Sequence, residues 1–172
     1  EPEVNITTLD AQGAGRVITI NGEVAPTIAG LHITGGDASV LGDNDNDGGG
    51  IYVLLTQSDE ANAILKDNHI YSNTAWNGGG AYLTSSGSGN YTLSGNTFED
   101  NSAGGDGGGM VAARWVFTMT NNTFTANSSG NMGGGLAVQS SEAVLQGNSF
   151  IENSAAVAGG GVFVQNSAFE SQ

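Results

Sequence analysis

The residues best suited to chemistry in this chain are carboxylates. In GDNDNDGGG, residues 42–50, Asp43, Asp45 and Asp47 alternate with asparagines and run into three glycines. Asp43, Asp45, Asp47 and Gly48 match positions 1, 3, 5 and 6 of a D-x-[DN]-x-[DN]-G calcium loop, where oxygen ligands wrap a hard cation. Position 12 is Leu54 rather than the usual bidentate glutamate, so the linear motif lacks one ligand. Two readings follow, a bound calcium ion or a solvated loop rich in Asp and Asn. Elsewhere Glu99–Asp100 and Asp59–Glu60 are adjacent pairs, and neighbours on a strand point to opposite faces, so neither pair converges alone. Arg16, Lys66 and Arg114 are the basic residues open to proton abstraction. Arg114 has no recurring acidic partner, and Lys66 beside Asp67 reads as a solvated pair. The two histidines, His32 and His69, offer either a metal-ligating pair or a plain surface pair. No Ser-His-Asp arrangement can be inferred from them.

Composition narrows the partners. The 172 residues include 17 acidic and three basic side chains, a formal net charge of −14. Nucleic acid, whose binding depends on neutralising phosphates with Lys and Arg, is excluded, and anionic membranes are disfavoured. Divalent cations suit such a surface. There is no cysteine, which rules out disulfides, thiolate metal sites and cysteine catalysis. No apolar run approaches the ~20 residues that cross a bilayer. The chain opens at Glu1 without Met, which fits a processed or trimmed product.

The elements that must position these residues come from a repeat. GGG recurs at 48–50, 78–80, 107–109, 133–135 and 159–161, with spacings of 30, 29, 26 and 26 residues. NHIYSN, NTFEDN, NTFTAN and NSFIEN keep step with it, as do AILKD, YTLSG, FTMTN and AVLQG. Each unit therefore holds three short alternating segments bounded by turn residues, which predicts strands. A unit of that size cannot bury its own apolar face, so units must stack as coils. The expected fold is all-β, a right-handed parallel β-helix of about six coils with three short strands per coil. It forms a single domain over 1–172, with degenerate N-terminal coils over 1–36, regular coils over 37–165 and an incomplete last coil over 166–172.

Stacking predicts columns. Ile51, Ala81, Met110, Leu136 and Val162 point inward, as do Val53, Leu83, Ala112, Val138 and Val164. Leu65, Leu93, Met119 and Leu145 form a further inward column, and Ile70, Phe98, Phe124 and Phe150 another. Asn73, Asn101, Asn127 and Asn153 recur at one corner, and Asn68, Asn96, Asn122 and Asn148 at another. Stacked amides form hydrogen-bonded ladders, and Asn tolerates the left-handed backbone of sharp corners. The glycine triplets read as a corner needing positive φ and close coil approach. Ahead of the triplets, Asp47, Asn77 and Asp106 align over three coils, which adds Asp106 to Asp43, Asp45 and Asp47 as a candidate calcium ligand. Like charges stacked this way need a cation or water between them. Outward between the inward columns lie Tyr52, Tyr82, Val111, Ala137 and Phe163, an apolar stripe that marks a contact site. Trp76 and Trp115, near corners, extend it as a possible glycan platform.

The sequence resembles right-handed parallel β-helix proteins of the pectin-lyase-like superfamily over about residues 7–165, with LDAQGAGRVITI and LHITGG similar to the start of many secreted bacterial members. The GGG-apolar and F-x-x-N motifs (Gly79, Gly80, Ala81; Phe98, Asn101; Phe124, Asn127; Phe150, Asn153) also resemble polymorphic outer membrane proteins, whose β-helical passenger domains act as surface adhesins. Ile70 replaces Phe in the first copy. Because one solenoid hosts lyases, hydrolases, adhesins and fibres, the resemblance implies fold more than function. Lyases of the group imply a basic residue with acidic calcium ligands nearby, and hydrolases imply clustered carboxylates. The register sets Asp100 and Glu152 two coils apart, about 9–10 Å at standard strand spacing, at or beyond the inverting-hydrolase range.

The combined expectation is a non-catalytic extracellular or cell-surface solenoid, structural or adhesive. It would associate with itself or with other surface proteins, through bare coil ends that need caps, or form part of a longer adhesin. The alternative is a glycan-binding or polysaccharide-degrading domain with sugars along the aromatic face.

Overall fold

Strict alternation of apolar and polar residues forces each segment into an extended strand with one face turned inward, and Gly, Asn and Asp between the segments turn the chain. The computed structural model describes residues 6–42, 45–56, 61–87 and 89–172. The first coil contains β1 (Thr7–Asp10), β2 (Ile18–Gly22) and β3 (Thr27–Ala29), and the second β4 (Leu31–Thr34), β5 (Ile51–Leu55) and β6 (Ala61–Lys66). The third has β7 (His69–Tyr71), β8 (Thr74–Ala75), β9 (Ala81–Ser85) and β10 (Gly89–Ser94). The fourth has β11 (Thr97–Glu99), β12 (Ser102–Ala103), β13 (Met110–Ala113) and β14 (Val116–Thr120). The fifth has β15 (Thr123–Thr125), β16 (Ser128–Ser129), β17 (Leu136–Gln139) and β18 (Glu142–Gln146). The sixth has β19 (Ser149–Ile151), β20 (Ser154–Ala155), β21 (Val162–Gln165) and β22 (Ala168–Ser171).

These strands stack into three six-stranded parallel sheets and one four-stranded sheet, making a right-handed β-solenoid. The fourth sheet, β8-β12-β16-β20, goes beyond the three strands per coil that periodicity predicts. Its strands are two residues long, too short to show a period, and lie between the Asn corner and the glycine corner. Residues 166–172 include β22, which pairs with β18.

Register matches the inward columns. Ile51 pairs with Ala81, Ala81 with Met110, Met110 with Leu136 and Leu136 with Val162. Leu65, Leu93, Met119 and Leu145 align likewise. Phe98, Phe124 and Phe150 stack face to face, with centroids 4.7 and 4.8 Å apart. One further inward column, Ala63, Tyr91, Phe117 and Ala143, fills the space beside Leu65, and Tyr91 stacks on Phe117 at 4.8 Å. Burying a ring of this size contributes up to about 3 kcal/mol.

Both asparagine ladders form. Asn73 Nδ2 donates to Asn101 Oδ1 at 3.0 Å, Asn101 to Asn127 at 3.0 Å and Asn127 to Asn153 at 2.9 Å. The second ladder runs Asn68, Asn96, Asn122, Asn148, each step 2.9 Å. Each Oδ1 also accepts the previous asparagine's backbone N–H, and each Nδ2 also donates to a carbonyl of the preceding coil, as Asn101 does to Ile70. One detail differs from expectation. The left-handed residue is not the ladder asparagine but the one before it: Ser72, Asp100, Ala126 and Glu152 at one corner, Asp67, Gly95, Asn121 and Gly147 at the other. The asparagines must keep their amides inside, so the strain falls on an outward neighbour. Asp100 and Glu152 are thereby corner residues.

The glycine triplets meet both demands. Gly78 has φ +63°, and a Cβ on Gly79 would stand 2.3 Å from the Ser102 carbonyl oxygen, an impossible contact.

Candidate functional site

The acidic corner is organised around a guanidinium. Arg16, just ahead of β2, reaches across 31 residues and donates from Nε and Nη2 to the Asp47 carbonyl at 2.9 and 2.7 Å. Nη2 also donates to the Asp45 carbonyl at 2.8 Å and Asp45 Oδ1 at 3.1 Å, and Nε to the Gly48 carbonyl at 3.1 Å. The Arg16 side chain is only 6% exposed. The loop oxygens that a cation would collect are therefore gathered by the chain's own fixed charge, a fork that cannot be deprotonated. Asp43 lies outside the described residues.

Asp47 and Asp106 belong to a third polar column. Asn77 Nδ2 donates to Asp47 Oδ1 at 2.9 Å, and Asn77 Oδ1 accepts the Asp106 backbone N–H at 2.9 Å. Asp106 Oδ1 accepts from Asn131 Nδ2 at 2.7 Å and from the Met132 N–H at 3.1 Å, while Oδ2 accepts from Gln139 Nε2 at 2.7 Å. Asparagine thus separates the two carboxylates, and neutral donors take up their oxygens. Desolvation by burial raises the Asp47 pKa above the usual carboxylate value, against the lowering effect of the Asn77 hydrogen bonds and Arg16. Among the described residues no group of three or more histidines or carboxylates is placed to hold a metal ion. The calcium expectation is not supported.

The outward stripe is not continuous. Tyr52 and Tyr82 stack at 5.8 Å with planes 11° apart, and Arg16 Cζ lies 4.6 Å from the Tyr52 ring centroid. Val111 and Ala137, expected outside, are fully buried and form with Ala113 a small cluster against which Tyr82 packs. The glycine turn is the cause. Gly107 and Gly133, at positive φ, fold back onto their own strands, so an added Cβ would stand 2.5 Å from Val111 Cγ2 and 2.9 Å from Ala137 Cβ. Small side chains disappear beneath the turn, while the larger Tyr52, Tyr82 and Phe163 extend past it and stay half-exposed. Burial of the phenols raises the Tyr52 and Tyr82 pKa values. Trp76 is 55% exposed and lies flat over Gly104, where a Cβ would approach its ring to 3.0 Å. Trp115 is half-buried against the main core with its indole nitrogen enclosed, so the two tryptophans do not share one platform with the tyrosines.

The histidines meet on another face. His32 and His69 are register partners on β4 and β7, with ring centroids 5.1 Å apart and planes at 90°. His69 Nε2 lies 2.7 Å from Glu99 Oε2, and the Tyr71 ring lies 4.5 Å from the His69 ring. Sequence alignment of the coils places the two imidazoles together. It misses Tyr71 and Glu99, which are themselves register partners, because their column changes chemistry from coil to coil.

A family model described as "Periplasmic copper-binding protein (NosD)" matches residues 4–167. No curated protein and no solved structure gives a significant match.

Proposed function

The chain belongs to the NosD family, and from that premise we propose that it is a non-catalytic β-solenoid of the cell envelope that works by docking, its end coil receiving a further coil of the same repeat. The observation that carries this reading is the face of the sixth coil. Phe150, Val162, Val164 and Phe169 line an apolar hollow of about 400 Å³, with Val164 37% and Phe169 40% exposed. These side chains sit at the end of inward columns, where in every earlier coil the next coil covers them. A coil edge also presents unpaired strand N–H and C=O groups, a template for another strand. A further coil of the repeat stacked on this face supplies both the cover and the hydrogen bonds.

The test is light scattering and electron microscopy across concentration. Association of the native chain that Phe169→Lys abolishes is the expected result. A native chain that stays monomeric at every concentration overturns end-to-end assembly and leaves the role of one segment in a longer solenoid or adhesin.

The family name raises copper. Soft sulfur donors for Cu(I) do not fit, since the chain has no cysteine, Met110 and Met119 are fully buried in the core, and the third methionine, the half-buried Met132, has no second sulfur beside it. The nitrogen donors that would suit Cu(II), His32 and His69, sit edge to face, and among the described residues no group of three or more histidines or carboxylates is placed to hold a metal ion, so these residues do not fit copper. A second functional reading, glycan binding, is supported by the half-exposed Tyr52–Tyr82 stack, which offers a flat ring surface to a sugar.

A further inference from the structure

The amide ladders have a direction. The backbone N–H and Nδ2 of one asparagine donate forward to Oδ1 of the next coil's asparagine, as Asn73 does to Asn101, while Nδ2 also donates backward to a carbonyl. Both ladders are closed at the second coil. Leu31 and Gly36 occupy the two slots there, and their N–H groups donate to Asn68 and Asn73 at 3.1 and 2.9 Å. Neither has a side-chain amide to extend the run.

At the sixth coil the ladders are open. Asn148 and Asn153 donate backward to the Met119 and Phe124 carbonyls, each at 2.8 Å, but their backbone N–H groups meet no acceptor among the described residues. The third corner follows the same rule with a hydroxyl. The Trp115 N–H donates to Ser141 Oγ at 3.3 Å and the Ser141 N–H to Ser167 Oγ at 3.0 Å, and the two hydroxyls donate backward to the Ala112 and Val138 carbonyls. The Ser167 N–H is the open end of that run among the described residues. Asn148 also lines the apolar hollow beside Phe150. A purely apolar cover would dehydrate these donors without pairing them, and each buried donor left unpaired is costly. A partner must therefore bring an acceptor to each corner.

Resting on the end-docking reading above, we propose that the sixth-coil face selects its partner by hydrogen-bond polarity and takes a β-solenoid coil of the pattern N-x-F-x-x-N with a serine at the third corner. The two carboxamides accept from Asn148 and Asn153, the serine hydroxyl accepts from Ser167, and the ring continues the stack in which Phe150 lies 4.8 Å from Phe124. A copy of this chain stacked by its first coil meets the demand poorly. Thr7, the register partner of Leu31, stands in the slot of Asn68 and offers a short hydroxyl where a carboxamide is needed, so such a copy binds more weakly than a coil with the full pattern.

The probe is a fluorescently labelled peptide of residues 147–172, which carries Asn148, Phe150, Asn153 and Ser167 in one coil. It is titrated by anisotropy into the full chain at concentrations where the chain is monomeric. Saturable binding is expected, weakened about 10-fold or more by Asn148→Leu or Asn153→Leu in the peptide and less by Ser167→Ala. Ser149→Ala, which removes a hydroxyl outside the ladders, should leave it unchanged. In nuclear magnetic resonance of the full chain, the N–H groups of Asn148, Asn153 and Ser167 should become protected from exchange when the native peptide binds. Equal affinity for the native and Leu peptides, or binding without that protection, overturns the polarity rule and leaves end docking standing. A chain that binds none of the peptides overturns end docking together with the rule.

Discussion

Two kinds of corner in this solenoid face the same difficulty with different side chains. At the corner before β8, β12, β16 and β20, Asn73, Asn101, Asn127 and Asn153 run as a buried amide ladder, and Asn68 to Asn148 do the same before β7, β11, β15 and β19. At the corner before the glycine triplets the column is Asp47, Asn77, Asp106, Asn131. An amide both donates and accepts, so a ladder of amides propagates without outside help. A carboxylate only accepts, so each aspartate needs donors from the side. Gln139 and the Met132 N–H serve Asp106, and Asn77 serves Asp47 beside the Arg16 guanidinium. The first kind of corner repeats indefinitely, and the second is built once from local parts.

Substitutions can break that comparison at several strengths. Asn101→Leu should do most damage, because in a dry interior it strands the Asn73 N–H, takes the Asn101 donor from the Ile70 carbonyl and removes one of the bonds of Asn73 Nδ2. At ~1–3 kcal/mol for each buried group left unpaired, the loss in urea unfolding should reach about 3 kcal/mol or more. Arg16→Met comes next. It frees the carbonyls of Asp45, Asp47 and Gly48 at a partly wetted corner, and a loss of about 2 kcal/mol is expected, with faster hydrogen exchange confined to residues 45–50. A loss spread evenly over all coils would show that the clamp is not local.

Asp47→Asn should have a smaller effect and the opposite sign. The folded-state pKa is raised by burial, so the native state binds more protons than the unfolded chain between the ordinary carboxylate value of 3.8 and the raised value. Stability therefore falls as pH rises through that window, and the deficit persists at neutral pH. Asn keeps an oxygen for Asn77 and removes the deficit, giving a gain of at most about 1 kcal/mol at pH 7 once solvent screening is allowed for. Below pH 3.8 the gain should vanish. Calcium should have the least effect, with millimolar ion leaving the melting temperature unchanged, because Arg16 already gathers the loop oxygens. A saturable upward shift would overturn that account.

Most of the fold was legible because the repeat carries it. Aligning GGG with GGG places Ile51 over Ala81 and Phe98 over Phe124 without any structure, since a parallel coil admits one register. The same alignment brings His32 to His69. The column of Tyr91 and Phe117 was less visible, because Ala63 and Ala143 interrupt its size pattern. The two-residue strands of the fourth sheet were hidden because alternation needs more than two residues to be seen.

What the sequence determined by itself is whatever repeats: coil number, the inward columns, the positions of the amide ladders and the need for glycine at one corner. Each follows from a period that stacking turns into contact. What only the tertiary structure decided is whatever the turns cover or reach. It buries Val111 and Ala137 under the glycine turn, separates Trp115 from Trp76, assigns positive φ to Ala126 and Glu152 rather than to their asparagines, and brings Arg16 to Asp45 and Asp47. Those outcomes depend on the path of non-repeating backbone in space, and a periodic pattern contains no record of that path.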